Sequence, residues 1–294
     1  MWGGHHLAEE KVLVVGLGEV GRPMFELIHE SGHFIVYGLD LDKAKMRSLK
    51  QATPPNKVDT IHICLPCPNQ GKFVEIVVDY VKQFEPKLVI INSTIPPETT
   101  MKIHNRCKNY LVAHSPIRGV HKSCEHMKWE IKRWTKYIGG ANAEAAEAAR
   151  KHFEKIGLKT KVLNTCTETE LAKLFETTYR AWMITCFQEM HRISRHFKAD
   201  FDNVVDFIED THRARFDRPV LYPGTIGGHC LIPNIKLLLK SYDSEFLRLI
   251  LKSNERRQTE IKDKKVRDEA EKVRKRAEFL EEELVKRKRN NVSS

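Results

Sequence analysis

The sequence predicts an α/β fold: a Rossmann-like, doubly wound, mostly parallel sheet, then an all-helical domain, then a charged C-terminal helix. A strand, a glycine turn, a helix and a second strand can be read in succession over residues 11–42. Short apolar runs then alternate with helical stretches as far as residue 164. At Thr167 the pattern changes to a long, unbroken helical period. The domains expected are 1–164 for a dinucleotide, 165–256 for substrate and dimerisation, and 257–294 as a basic helical tail.

The elements follow in order. Val12 to Val15 form an apolar strand, and Gly16, Gly18 and Gly21 follow in G-x-G-x-x-G spacing. Gly16 permits the turn, Gly18 admits a pyrophosphate, and Gly21 lets the next helix, with Phe25, Leu27 and Ile28, lie close to the strand. Ile35 to Gly38 is the second strand, and Asp40 at its end is placed to accept hydrogen bonds from ribose hydroxyls, which favours NAD over NADP. Asp42 competes for that role. Strands are expected at Val58 to Leu65, Leu88 to Asn92, Tyr110 to Ala113, Lys136 to Ile138 and Lys159 to Leu163, with helices over 71–83, from near Pro97 and over 142–155. Glu19, Val20, Leu65, Pro66 and Thr94 stand in the turns after strand ends and complete the predicted cofactor contacts.

Thr94 is a candidate contact for substrate or cofactor, or else Ser93 or Thr94 caps the next helix. The polar stretch from His114 to His121 reads either as a site loop, with Arg118 holding a substrate anion and His121 acting as base, or as ordinary surface. Thr167 to Glu170 form a capping box opening a helix to about Phe197; Lys173 shares a face with Glu170, Glu176 and Thr177 and pairs with one of the acids or faces substrate. Asp200 caps a helix to about Glu209. Residues 222–234 then bring three glycines before Cys230, with Gly227, Gly228 and His229 beside it and Asn234 beyond. Cys230 is an accessible nucleophile or a structural thiol, with Asn234 capping the helix that follows. Cys64 and Cys67 form a C-x-x-C without a second pair, so no metal site is expected.

The 294 residues are 41% hydrophobic and 30% charged, a globular composition, and no apolar run reaches the length of a bilayer span. The opening MWGGHHLAEE has neither signal-peptide nor anchor character, and seven scattered cysteines suit reduced thiols and a cytoplasmic location. A net charge of +11 raises nucleic acid as a partner, but no motif supports it; an anionic or sugar-like small substrate fits equally well.

GLGEVG, the aspartate of YGLD, STIP, ELAKLFETTYRA and GTIGGHC together resemble the UDP-glucose/GDP-mannose dehydrogenase family over roughly residues 11 to 258. The resemblance implies an NAD-dependent oxidation at a CH–OH group. Cys230 would attack an aldehyde formed by a first hydride transfer, Lys173 would stabilise the oxyanion, and Thr94 would place water or a substrate oxygen. Thr177, Gly227, Gly228, His229 and Asn234 would line the substrate, with Arg118.

Three positions depart from the family. Ile117 replaces a glutamate, Thr177 an asparagine and Asn234 an aspartate, so His121 is the remaining candidate base. A two-electron β-hydroxyacid-type dehydrogenase and a non-catalytic NAD-binding assembly protein are the alternatives. Beyond Arg256 the chain does not resemble the family's third domain. Val266, Ala270, Val273, Ala277, Leu280 and Leu284 instead make a weak heptad, expected to pack on the body or to pair, with the long central helix, in a homodimer.

Overall fold

The computed structural model describes residues 10–49, 53–228 and 230–290, with side chains as far as residue 283; His229 and Leu284, both singled out above, lie outside the described residues or side chains. Two compact units divide between Leu174 and Phe175.

The first unit is a seven-stranded sheet in the order β2-β1-β3-β4-β5-β6-β7. Its strands are β1 (Glu10–Val15), β2 (Phe34–Leu39), β3 (Thr60–Ile63), β4 (Leu88–Ile91), β5 (Leu111–His114), β6 (Lys136–Gly140) and β7 (Thr160–Val162). All pairs are parallel except β5 with β6. Alternation along β1 sends Val12 and Val14 to one face, with Met24, Ile28, Ile90 and Phe153, and Leu13 and Val15 to the other, with Ile61, Val77, Val81 and Ile91. A strand buried on both faces has to be apolar throughout, which is why β1, β3 and β4 read as continuous runs rather than as alternation.

Helices α1 (Gly21–Glu30), α2 (Lys43–Arg47), α3 (Gln70–Phe84), α4 (Thr99–Arg106), α5 (Cys124–Arg133) and α6 (Ala143–Lys155) connect the strands. Helix α5 was not legible in the sequence: Met127 and Ile131 are its buried apolar side chains, beside buried Lys128 and Glu130. The capping of α7 (Cys166–His196) also differs from expectation. T-x-x-E occurs twice in overlap, and the box forms two residues early, with Thr165 Oγ1 accepting from Glu168 N (3.2 Å) and Glu168 Oε2 accepting from Thr165 N and Asn164 N.

Glu170, fully buried, instead serves α4. It accepts from the backbone N–H groups of Glu98 (2.6 Å) and Thr100 (2.8 Å) and from the Thr100 hydroxyl. Neither Ser93 nor Thr94 caps that helix; Ser93 Oγ donates to the Ile63 carbonyl.

The second unit comprises the rest of α7 with α8 (Phe201–Arg215), α9 (Leu231–Ser241), α10 (Glu245–Glu260) and α11 (Lys264–Asn290). Asp200 caps α8 as predicted, and the helix runs on past Glu209 to a left-handed Phe216. The heptad stripe of α11 packs within this unit: Val273 and Leu280 join Phe187, Phe201, Val205, Val220 and Leu221, and Val266 and Ala270 are buried. Arg276 pairs with Asp202, Asp206 and Glu209 of α8, and Arg213 with Glu283, so the stripe is flanked by ion pairs. Among the described residues no helix is long and apolar enough to cross a membrane.

Candidate functional site

The sheet register aligns Val15 with Leu39 and with Ile63, so the chain leaves β1, β2 and β3 at one edge. This edge is the topological switch point, with β2 and β3 on opposite sides of β1. Gly16 has φ +87, and a Cβ there would lie 2.6 Å from the Cys64 carbonyl oxygen; a Cβ on Gly21 would overlap the Gly16 carbonyl. Both glycines are therefore demanded by the protein's own backbone. Gly18 is exposed, and a Cβ there meets nothing within 4 Å. Its neighbourhood is open in the way a bound pyrophosphate requires.

Asp40 and Asp42 separate by role. Asp42 caps α2 through Ala44 N, whereas Asp40 accepts from Leu17 N (2.7 Å) and Asp42 N (2.9 Å), with Lys45 Nζ at 3.6 Å. Partial burial opposes its ionisation, but these two N–H groups and Lys45 outweigh it and hold the carboxyl below its usual range. An ionised carboxylate thus stands at the end of β2, braced against the glycine turn. Leu65 is half-buried and Pro66 exposed in the loop after β3.

The loop after β5 reaches the glycine turn, with His121 Nδ1 3.7 Å from Glu19 Oε1. Arg118 is engaged by its own surroundings: it donates to the Thr135 carbonyl (3.0 Å) and lies over the rings of Trp134 (5.0 Å) and Tyr137 (5.2 Å). Ile117 is buried in the core.

A buried polar chain that the sequence did not reveal fixes the root of this loop. Asn92 Nδ2 donates to the Ser115 carbonyl (2.7 Å), so its Oδ1 accepts from His62 Nδ1 (2.8 Å). His62 Nε2 then accepts from His152 Nε2 (2.8 Å). Lys136 Nζ donates to the carbonyls of Ser115 (2.9 Å) and Pro116 (3.1 Å). Burial holds His62 down at about 4 and Lys136 at about 7, and pushes the Cys64 thiol up to about 12. Cys64 and Cys67 are both free thiols, and among the described residues no group of metal-ligating side chains forms.

Thr94 is half-buried at the C-terminal end of β4. Lys173 is half-buried one turn beyond Glu170 on α7, and its charge, after burial, helps to hold down His114, which sits at about 3 between Thr169 Oγ1 and the Ser93 carbonyl. Glu170 is committed to α4.

In the second unit, Cys230 is an exposed free thiol immediately before α9. Its loop is held from afar. Ile226 N donates to Asn254 Oδ1 (2.6 Å), Asn254 Nδ2 donates to Ile226 O (3.2 Å), and Gln188 Nε2 donates to Gly224 O (2.7 Å). Gly227 and Gly228 are exposed with open space where a Cβ would stand, and Gly228 has φ +83. Asn234 does not cap α9: it lies buried within the helix and donates to Thr177 Oγ1 (3.1 Å). Two of the three departures from the family are thus one hydrogen-bonded pair.

A doubly wound sheet with a dinucleotide-type turn, followed by a helical unit carrying a cysteine loop, is a Rossmann-type architecture with an appended helical unit. Residues 167–256 match the model of the UDP-glucose/GDP-mannose dehydrogenase family, central domain. It is 26% identical over 289 residues to the UDP-N-acetyl-D-mannosamine dehydrogenase of Methanococcus maripaludis, covering 84% of this chain and 65% of that protein. The chain therefore spans about two thirds of the length of such relatives. The UDP-D-ManNAc dehydrogenase structure from Pyrococcus horikoshii superposes with a TM-score of 0.70 at 24% identity, covering 84% of this chain and 68% of that one. The 3-hydroxyisobutyrate dehydrogenase of Mycobacterium tuberculosis shares the fold at a TM-score of 0.64 and 16% identity, covering 86% and 94%.

Proposed function

We propose that the chain is an NAD-dependent dehydrogenase that oxidises a CH–OH group, with a nucleotide sugar of the UDP-N-acetylhexosamine class as the substrate to test first. The observation that carries this reading is the switch-point edge: two glycines required by the backbone, a third with open space, and an ionised Asp40 just beyond the end of β2, which we assign to the ribose. The identity to UDP-N-acetyl-D-mannosamine dehydrogenases supports the substrate class. Bound at that edge, the nicotinamide cofactor would accept hydride from the alcohol carbon.

The chain's own groups then divide the work. Lys173, positively charged, is assigned to the developing oxyanion, and Thr94 to a water or substrate oxygen. His121 is assigned the proton released by the alcohol. The Cys230 thiol is assigned to the carbonyl carbon of the aldehyde, forming a thiohemiacetal; transfer of its hydride to a second nicotinamide cofactor, with release of the hydroxyl proton, would give a thioester, which water cleaves to the acid and the free thiol. Arg118, Gly227, Gly228, His229, Thr177 and Asn234 remain assigned to substrate, with Arg118 acting through its backbone-held position.

One observation favours a two-electron reaction instead. The glutamate position is Ile117 in the core, and the asparagine and aspartate positions are a mutually bonded Thr177 and Asn234, so groups that would handle hydrolytic water are replaced. In that reading Lys173 is the acid/base and Cys230 is structural. The exposed Tyr179, Ile193 and Phe197 of α7 and Phe207 of α8 support self-association, and the free thiols support a cytoplasmic setting.

The test is NADH appearance with nucleotide sugars and hydroxy acids, beside Cys230→Ala and Lys173→Ala. Turnover lost in both variants, with two NADH per product, supports the covalent route. Turnover that survives Cys230→Ala supports the two-electron route, and NAD binding without turnover of any substrate would sink the enzyme reading. Light scattering of the eluting protein reads the oligomer.

A further inference from the structure

Independently of that reading, the second unit contains a cavity of about 150 Å³ where α7, α10 and the start of α11 meet. Its wall is unusually rich in guanidinium groups: Arg192 and Arg195 from α7 and Arg256 and Arg257 from α10, with Glu260 and His191. Most of this charge is matched. Arg192 pairs with Glu189 and Glu260, Arg195 with Glu269, and Arg256 with Glu260.

Arg257 is the exception. It is fully buried, and Nη1 donates to His191 Nδ1 (2.9 Å) while Nη2 donates to the Gln188 carbonyl (2.7 Å). Its Nε lies 3.3 Å from Glu260 Oε2 in a geometry that makes no hydrogen bond, and is an orphaned buried donor. Glu260 is already shared by Arg192 and Arg256. Because His191 accepts from Arg257, its proton sits on Nε2 and goes to Glu269 Oε2 (3.0 Å), so the imidazole is neutral and supplies no charge. Four guanidinium groups therefore line the cavity beside a single carboxylate, Glu260, while Glu189 and Glu269 pair with Arg192 and Arg195 from outside its wall, and one buried cation lacks a hydrogen-bonded carboxylate of its own. A buried charge in this position is costly until an anion compensates it.

We propose that this cavity binds a tetrahedral oxyanion of the phosphate class, either free or as the end of a larger molecule, in contact with Arg195, Arg256 and Arg257. Arginine suits such a ligand because its planar fork donates two parallel hydrogen bonds to two oxygens. The space takes one phosphate group and its waters rather than a nucleotide. Since the wall draws on three helices, an occupant ties the first turn of α11 to α7 and α10.

The experiment is calorimetric titration of the full chain with inorganic phosphate at constant ionic strength, using sodium chloride as the control, beside Arg256→Gln and Arg195→Gln. Both substituted side chains are partly exposed, so these variants should fold even where Arg257→Gln does not. The expected result is saturable one-to-one binding, weakened about tenfold or more in each variant, with phosphate slowing amide exchange in the first turn of α11. Titration with UDP separates the two sources: UDP binding weakened by Arg256→Gln points to the end of a larger molecule, and UDP binding indifferent to it points to the free ion. Heat that does not saturate, that chloride reproduces, or that both variants leave unchanged would overturn the proposal.

Discussion

The glycine turn after β1 and the glycine loop before Cys230 contain the same residue type and are built in opposite ways. In the first, glycines are consumed by contacts with the protein's own backbone: Gly21 against Gly16 inside the turn, and Gly16 against Cys64 at the end of the neighbouring strand. In the second, nothing stands where the Cβ atoms of Gly227 and Gly228 would be, and the loop is held by Asn254 and Gln188 on other helices. A turn closed by its own steric demands repeats a fixed spacing and can be read locally. A loop hung from distant amides carries no such spacing.

The largest effect should come from Gly21→Ala. It forces a methyl group into the Gly16 carbonyl, and a loss on the order of 3 kcal/mol or more is expected in chemical denaturation, together with loss of NAD binding. If stability is unchanged, the turn is not closed as described.

Next comes the acid sensitivity of the first unit. His62 and His114 are held at about 4 and about 3 by burial, below the 6.5 of an exposed imidazole. Unfolded histidines therefore take up protons that the native ones refuse. Stability present above pH 6.5 is lost as pH falls toward 4, by a few kcal/mol. Urea midpoints from pH 7.5 to 4.5 give the slope, and His62→Leu together with His152→Leu should reduce it, leaving the part that His114 contributes.

Asn254→Ala removes both bonds to Ile226 in a buried setting and should cost about 2 kcal/mol. It should also raise amide exchange across residues 224–228, with the sheet unit unaffected. Gly228→Ala, at φ +83 but with open space, should cost about 1 kcal/mol through the backbone alone. Smallest is Gly18→Ala, within about 0.5 kcal/mol in stability. It should nonetheless weaken NAD measurably by fluorescence titration, and equal affinity would remove the pyrophosphate from that spot.

The fold was legible because its signals are short-range. The strands, Gly16, Gly21, Asp40, the Asp200 cap and the stripe of α11 are periodicities or fixed offsets. What stayed hidden depends on residues far apart in the chain: His62 to His152 through space, Lys136 under Ser115, Asn254 under Ile226. Overlap also misled, since Thr165–Glu168 and Thr167–Glu170 carry the same capping signature, and only three-dimensional demand assigns the first to α7 and releases Glu170 for α4. Helix α5 hid because so few of its buried side chains are apolar.

Glu170 also bears on how such a chain can be divided or shuffled. The first turns of α7 look like the opening of the helical module, and the family's central domain is matched from residue 167. Yet the carboxylate that satisfies the amides of Glu98 and Thr100 sits there, inside the compact unit that runs to Leu174. A sheet fragment ended at residue 164 would leave those donors stranded, whereas one carried through Leu174 keeps its own keystone. Recombination between relatives that exchanged the helical module would be tolerated after that residue and penalised before it.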